Sequence, residues 1–418
     1  MRFAATLRVL MAVLAVGLLS PIASKPTWAQ SAAASSATGS PAAGVSAATP
    51  SAKQRPPRAS ARARKMSETP RAAPPYGDRA DVLEFGRQVA AAHGWDTQWV
   101  LSQLSGARRL SDVQQLIMPP PAGTAKNWAA YRARFLTPDR IAAGAQFWNA
   151  HASWLDKAEQ RWGVPASLVV GIVGVETFYG RIMGRFRVLD ALATLSFDFP
   201  SGRSDRSSFF REELEALLVL AQRERQDAST WQGSYAGAMG LPQFMPSSLL
   251  RFAVDFDEDG RIDLYGSPAD VIGSVAHFLA AAGWERDMPT HYSVAAPVQT
   301  DQRAFLLGPD IVPSFSPGEF QQRGAVLEAA AQSHPGLLAL VELQMGDAAP
   351  VFVAGTQNFW VVTRYNRSSY YAMAVIDLGQ AVDQARRDLV AAPQALASSR
   401  GAASTGAKRR DSSRPRAR

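Results

Sequence analysis

Apolar residues recur at helical spacing along most of residues 76–393, and that pattern predicts a mainly helical body. Asp81 to His93 alternates apolar and polar positions at the period of an amphipathic helix and stops at Gly94. Arg140 to Trp162 does the same as one long element, with Phe147, Trp148, Trp154 and Leu155 on one side. Ser207–Arg223 and Ala269–Ala282 are further amphipathic stretches, the second closed by Gly283. Shorter β-like runs stand at Tyr292–Val298, Val351–Val353 and Phe359–Thr363. No fixed-period repeat or interior linker interrupts these residues. The expected fold class is mainly α (α+β) with a small β-sheet.

One segment departs from amphipathic patterning. Leu168 to Val175 is almost unbroken apolar sequence and ends on an acid, Glu176. Period alone does not separate a buried helix from a buried strand here. Pro165 near a first turn, together with Gly171 and Gly174, favours the helix. A carboxyl at the mouth of an apolar run has its neutral form favoured, so its pKa rises and it can donate a proton near neutral pH. The competing reading is a structural ion pair with Arg181 or Arg185.

Composition narrows the setting. The chain has 418 residues, 47% of them hydrophobic, and no Cys. That excludes disulfides, thiolate zinc sites, Cys nucleophiles and a lipoprotein anchor. Residues 1–29 read as a signal peptide. Arg2 and Arg8 form its basic start, Val9–Leu19 its apolar stretch, and Thr27-Trp28-Ala29 a cleavage site before Gln30. An uncleaved anchor is the competing reading. Of the formal net charge of +8, residues 1–29 hold +3, residues 30–75 hold +6 and residues 394–418 hold +6, which leaves −7 on 76–393. The basic Ala/Ser/Pro-rich segments 30–75 and 394–418 are expected to be disordered for want of apolar surface. An acidic folded body excludes nucleic acid as the expected partner.

Three further stretches carry candidate chemistry. "SYAGAMGLPQFMPSS", 234–248, brings backbone close to a flat ligand through its small residues, with Gln243 and Ser247 offering hydrogen bonds. It reads equally as a tight helix contact. "DFDEDGRIDLYG", 255–266, matches the opening of a calcium loop at Asp255, Asp257, Asp259, Gly260 and Asp263. Position twelve is Gly266 rather than Glu, and Asp270 downstream is the candidate to complete the coordination. The competing reading is an acidic surface turn. "TRYNRSSYYAMAV", 363–375, supplies Tyr365, Asn366, Tyr370 and Tyr371.

Taken in order, "GVETFYGR", "LDALATLSFDFP", "YAGAMGLPQFMPSS" with "AVDFDEDGRIDL", and "TRYNRSSYYAMAV" resemble the membrane-type B family of lytic murein transglycosylases. "YRARFLTPDRI" fits the same family, and the resemblance spans about 80–385. It implies a lysozyme-like catalytic core with helical insertions over 76–393. It also implies cleavage of the peptidoglycan glycan between N-acetylmuramic acid and N-acetylglucosamine, leaving a 1,6-anhydro end. Glu176 matches the family's single catalytic acid and base. Tyr131, Arg203, Ser234, Gln243, Tyr365, Asn366 and Tyr371 match substrate-binding positions, with "SGR" around Arg203 where the family more often has adjacent arginines. Asp255, Asp257, Asp259 and Asp270 match the calcium set, implying a structural Ca2+ of modest affinity and no organic cofactor. A periplasmic monomer acting on glycan strands is expected. The rival functions are a lysozyme-like hydrolase of the same bond and a non-catalytic peptidoglycan-binding protein.

Overall fold

The computed structural model describes residues 75–119 and 126–407, so the expected signal 1–29 and residues 30–74 and 408–418 lie outside the described residues. Helices dominate. Those that frame the site are α1 (Ala80–His93), α2 (Thr97–Ser105), α3 (Pro138–Ala150), α4 (Ala152–Trp162), α5 (Ala166–Thr177), α6 (Val188–Phe197), α7 (Ser207–Glu224), α8 (Pro246–Phe252), α9 (Pro268–Ala281), α10 (Gln357–Tyr365) and α11 (Ser369–Ala407). Among the described residues, no helix is long and apolar enough to cross a membrane.

The polarity pattern located both ends of α1, α7 and α9 to within a residue. α1 stops at Gly94, whose φ of 66° is the left-handed cap that glycine adopts without penalty. Pro165 precedes α5, and the alternative of a buried strand at 168–175 is set aside. α5 is apolar all round because it is surrounded. Every residue from Leu168 to Thr177 is buried. α11 lies along it so closely that a Cβ on Gly171 would stand 2.3 Å from the Val375 carbonyl oxygen. One on Gly379 would stand 2.1 Å from that of Ser167. The paired glycines of α5 thus serve close helix packing.

Two expectations are corrected. The element expected over 140–162 is two helices, because His151 leaves helical geometry at φ −125° and ψ 25°. Its two halves serve different neighbours. Phe147 stacks on Tyr179 at 5.4 Å, whereas Trp154 packs on Phe256 at 5.7 Å. The β-like run Phe359–Thr363 is helical, within α10. Thr356 caps that helix by accepting the Asn358 amide, and Phe359 and Val362 enter the main core. Burial on a helical stripe overrides the β preference of Val and Phe. α11 also runs past 393, the expected end of the folded body, as far as Ala407.

Strands are few. β1 (Phe186–Arg187) and β2 (Gln232–Gly233) form a short antiparallel ribbon in which Phe186 faces Gly233. The ribbon delivers the chain to Ser234. Four more strands, β3 (His291–Ala295), β4 (Val326–Leu327), β5 (Ala339–Met345) and β6 (Ala348–Gly355), make an antiparallel sheet in the order β4-β3-β6-β5. It covers a small core of its own, around Tyr292, Phe320, Leu338 and Leu340.

Candidate active site

Glu176 occupies the last turn of α5 and is only 5% exposed. Its Oε1 accepts the Tyr371 hydroxyl at 2.6 Å from α11, while its buried Oε2 has no partner. Burial pushes its pKa up to about 8, against the opposing hydrogen bond from Tyr371. Neither Arg181 nor Arg185 forms an ion pair with it among the described residues. The Arg181 guanidinium instead lies 4.7 Å from the centre of the Phe178 ring. Glu176 is an unpaired acid held neutral.

A pocket opens at this carboxyl, lined by Glu176, Ser234, Tyr235, Ala236, Ala238, Gln243, Tyr365 and Asn366. Its inner volume of about 20 Å³ holds about one water. The small-residue loop serves both readings, since Ala236 and Ala238 are pocket wall while Gly237 packs against Leu192 of α6. Ser234 Oγ accepts the Ala236 and Ala238 amides at 3.3 and 3.0 Å, which leaves its own hydrogen to give to a ligand. Gln243 Nε2 donates to the Gly240 and Met183 carbonyls, leaving its carbonyl oxygen as the free polar atom. Asn366, just past α10 and 3% exposed, has a buried Oδ1 with no partner. Such an atom is costly in isolation and wants a donor.

The tyrosines divide the work. Tyr371 orients the acid. Tyr365 stacks against Tyr371 with centroids 6.3 Å apart and donates its hydroxyl to the Pro242 carbonyl at 2.5 Å, so it floors the pocket and pins the loop. Tyr131, on the short helix Trp128–Arg132, has a buried hydroxyl without a partner. Burial raises its pKa well above the usual value, and the nearby Glu176 charge adds to this.

Arg203 is not brought to this pocket. Its Nη1 donates to the Ile117 carbonyl and its guanidinium faces the Phe199 ring, so it ties 117 to the turn after α6. Ser247 also points elsewhere. Its amide and hydroxyl donate to Glu213 at 2.9 and 2.7 Å, which fixes the start of α8. Sequence reasoning missed Glu213. It is 2% exposed on α7 with its pKa raised by burial, and its signal was an acid on the same stripe as Phe210, Leu214 and Leu217. Thr177 also binds the pocket loop. Its Oγ1 donates to the Leu241 carbonyl at 3.0 Å and couples α5 to the loop.

The acidic loop gathers Asp255, Asp257 and Asp259, each offering an oxygen within 4.8 Å of the others. Asp257 Oδ1 is buried without a partner, so the cluster fits a hard divalent cation. Asp270 does not join it. One of its oxygens accepts the Phe256 amide at 2.7 Å and the other the Asp263 amide at 2.8 Å, so this buried acid shapes the loop from behind.

Residues 77–380 match the family model for the transglycosylase SLT domain. The chain is 39% identical over 319 residues to the membrane-bound lytic murein transglycosylase B of Escherichia coli strain K12, covering 74% of this chain and 85% of that protein. The E. coli lytic transglycosylase SLT35, solved in complex with calcium, is 37% identical with a TM-score of 0.64, over 75% of this chain and 96% of that one. SltB3 of Pseudomonas aeruginosa, solved with NAG-anhNAM-pentapeptide, is 30% identical with a TM-score of 0.59, over 72% of this chain and 78% of that one.

Proposed function

This chain belongs to the lytic murein transglycosylases, with their mainly helical lysozyme-like fold, and from that premise we propose that Glu176 alone carries the proton chemistry of glycan cleavage. The protein is an enzyme acting on peptidoglycan. The observation that carries the proposal is the buried, unpaired Oε2 of Glu176, protonated up to about pH 8, at a pocket with no second acid in its lining. Most glycosidases flank the bond with two carboxyl groups. With one, the group that completes the reaction comes from the substrate.

Glu176 Oε2 protonates the glycosidic oxygen between N-acetylmuramic acid and N-acetylglucosamine as that bond breaks. The N-acetyl group of the muramic acid supports the developing positive charge. Ser234 offers it a hydroxyl hydrogen and Asn366 Oδ1 an acceptor for its N–H. The ionised Glu176, steadied by the Tyr371 hydroxyl, then takes the proton of the muramic acid 6-hydroxyl. That oxygen attacks the anomeric carbon and closes the 1,6-anhydro ring. Glu176 is restored protonated. Acid first and base second requires a pKa near working pH, which burial supplies. Gln243 and Tyr131 bind the substrate, and Tyr365 shapes the pocket floor.

Mass analysis of products from purified peptidoglycan tests the function. Fragments one water lighter than those of a lysozyme are expected. Reducing ends in their place would make the enzyme a hydrolase on the same fold.

Calcium belongs to the same reading. Asp255, Asp257 and Asp259 would hold the ion, which supplies charge neutralisation to the loop between α8 and α9. A ligand bound only by the folded state stabilises it by mass action, by about 2.7 kcal/mol at a hundredfold excess over Kd. Chelator should lower the Tm, and Asp257→Ala should abolish the difference. A Tm indifferent to chelator and to added calcium would remove the ion from the account. The enzyme works in the periplasm, reached through the signal 1–29, as a monomer on glycan strands, and the basic ends 30–75 and 394–418 are dispensable for chemistry.

A further inference from the structure

Phe178, Tyr179 and Gly180, directly after α5, all have positive φ, at 52°, 55° and 87°. Glycine adopts such angles freely. Two consecutive aromatic residues there are strained and persist only where the surroundings over-determine them.

Those surroundings grip both rings. The Arg140 guanidinium, 4% exposed, sits 4.5 Å from the centre of the Phe178 ring and 5.3 Å from that of Phe135. Its Nη1 donates to the Arg134 carbonyl, its buried Nε has no partner, and no carboxylate pairs with it among the described residues. The cation is spent on rings and one carbonyl. Tyr179 stacks on Phe147, and its hydroxyl fills a niche between α3 and α5 where a Cβ on Gly144 or Gly174 would come within 2.4 Å. The reversal also lets the Gly180 amide donate to Thr177 Oγ1 at 3.2 Å, the hydroxyl that reaches Leu241 in the pocket loop.

We propose that this left-handed reversal, clamped by Arg140 and by the Gly144–Gly174 niche, is a positioning device for Glu176, which stops the helix one residue past the acid and holds Oε2 at the pocket. Arg140, Phe178 and Tyr179 are positioning residues and touch no substrate. The inference rests on Glu176 being the acid. A relaxed helix end would swing the carboxyl away from the loop that Thr177 now joins. Misplacement of about 1 Å costs up to about a hundredfold in rate.

The test uses the full chain on purified glycan strands, with kcat, KM, the pH dependence of kcat and Tm measured together. Phe178→Gly and Phe178→Asn both tolerate positive φ and remove the ring. Arg140→Met keeps the aliphatic stem and removes the cation. Each should lower kcat about ten- to a hundredfold, leave KM within about twofold and move the alkaline limb of the profile. For the two Phe178 variants the released strain offsets the lost ring contacts to Arg140 and Arg181, so Tm should stay close to that of the wild type. Arg140→Met combined with Phe178→Gly should lose no more than the worse single variant, since both act on one reversal. Wild-type kcat and an unmoved limb in the Phe178 variants would overturn the proposal, as would kcat falling only in step with Tm. Glu176→Gln, run beside them, separates the two failures. If it still turns over, the acid is misassigned. If it is inactive while the Phe178 variants are normal, only the positioning role fails.

Discussion

Glu176→Gln lowers strand cleavage by at least about 10²–10⁴-fold, the contribution of one positioned acid or base, and the loss is larger where the same group serves both steps. Glutamine keeps the shape and can still accept the Tyr371 hydroxyl, so glycan binding should survive. Stability should change with pH in a defined sense. The folded pKa of about 8 lies above the ordinary value of 4.5, so the folded state holds this proton more tightly than the unfolded chain. The stabilising contribution is complete below about pH 4.5 and is lost as pH rises through about 8. Within that window the wild type loses up to about 1.4 kcal/mol per pH unit from this group, whereas glutamine does not titrate. The variant should gain on the wild type from pH 5 to 8, measured as Tm against pH. Activity of the wild type should fall above about pH 8 as the acid loses its proton before the bond breaks. Parallel Tm curves for the two proteins would mean that Glu176 is not buried neutral.

The second large effect is mechanical. Gly379→Ala in a solvent-facing helix would stabilise by about 1 kcal/mol through propensity alone. Here the added carbon would meet the Ser167 carbonyl oxygen at 2.1 Å, and backbone cannot rotate away as a side chain can. Overpacking of this kind costs about 1–3 kcal/mol and occasionally more, so the net sign should be destabilising. Gly171→Ala faces the Val375 carbonyl at 2.3 Å and should behave alike. Denaturant unfolding of both variants checks this. Activity should fall too, because α11 carries Tyr371 to Glu176 across this contact. A stabilised Gly379→Ala protein would show that the two helices do not touch as described.

The chain's own pattern determined much of this. Glu176 stands out because an apolar run ends on an acid, and no partner is needed to notice that. Helix ends at Gly94 and Pro165 follow from backbone chemistry local to those residues. The acidic loop announces itself by alternate aspartates before Gly260. Such features are short-range, and short-range physics is written in adjacent residues. Tertiary structure decided the rest. FWVVT at 359–363 has strand-like composition yet becomes helix, because its burial is set by a distant core. Asp270 reads as a ligand from spacing, but two amides of the loop claim its oxygens. Arg203 and Ser247 are drawn off by Ile117 and Glu213, residues 86 and 34 positions away. The same holds for Tyr371, which meets Glu176 across 195 residues. Which polar groups stay free for substrate depends on which ones the fold has already satisfied, and that count exists only once distant segments are packed together.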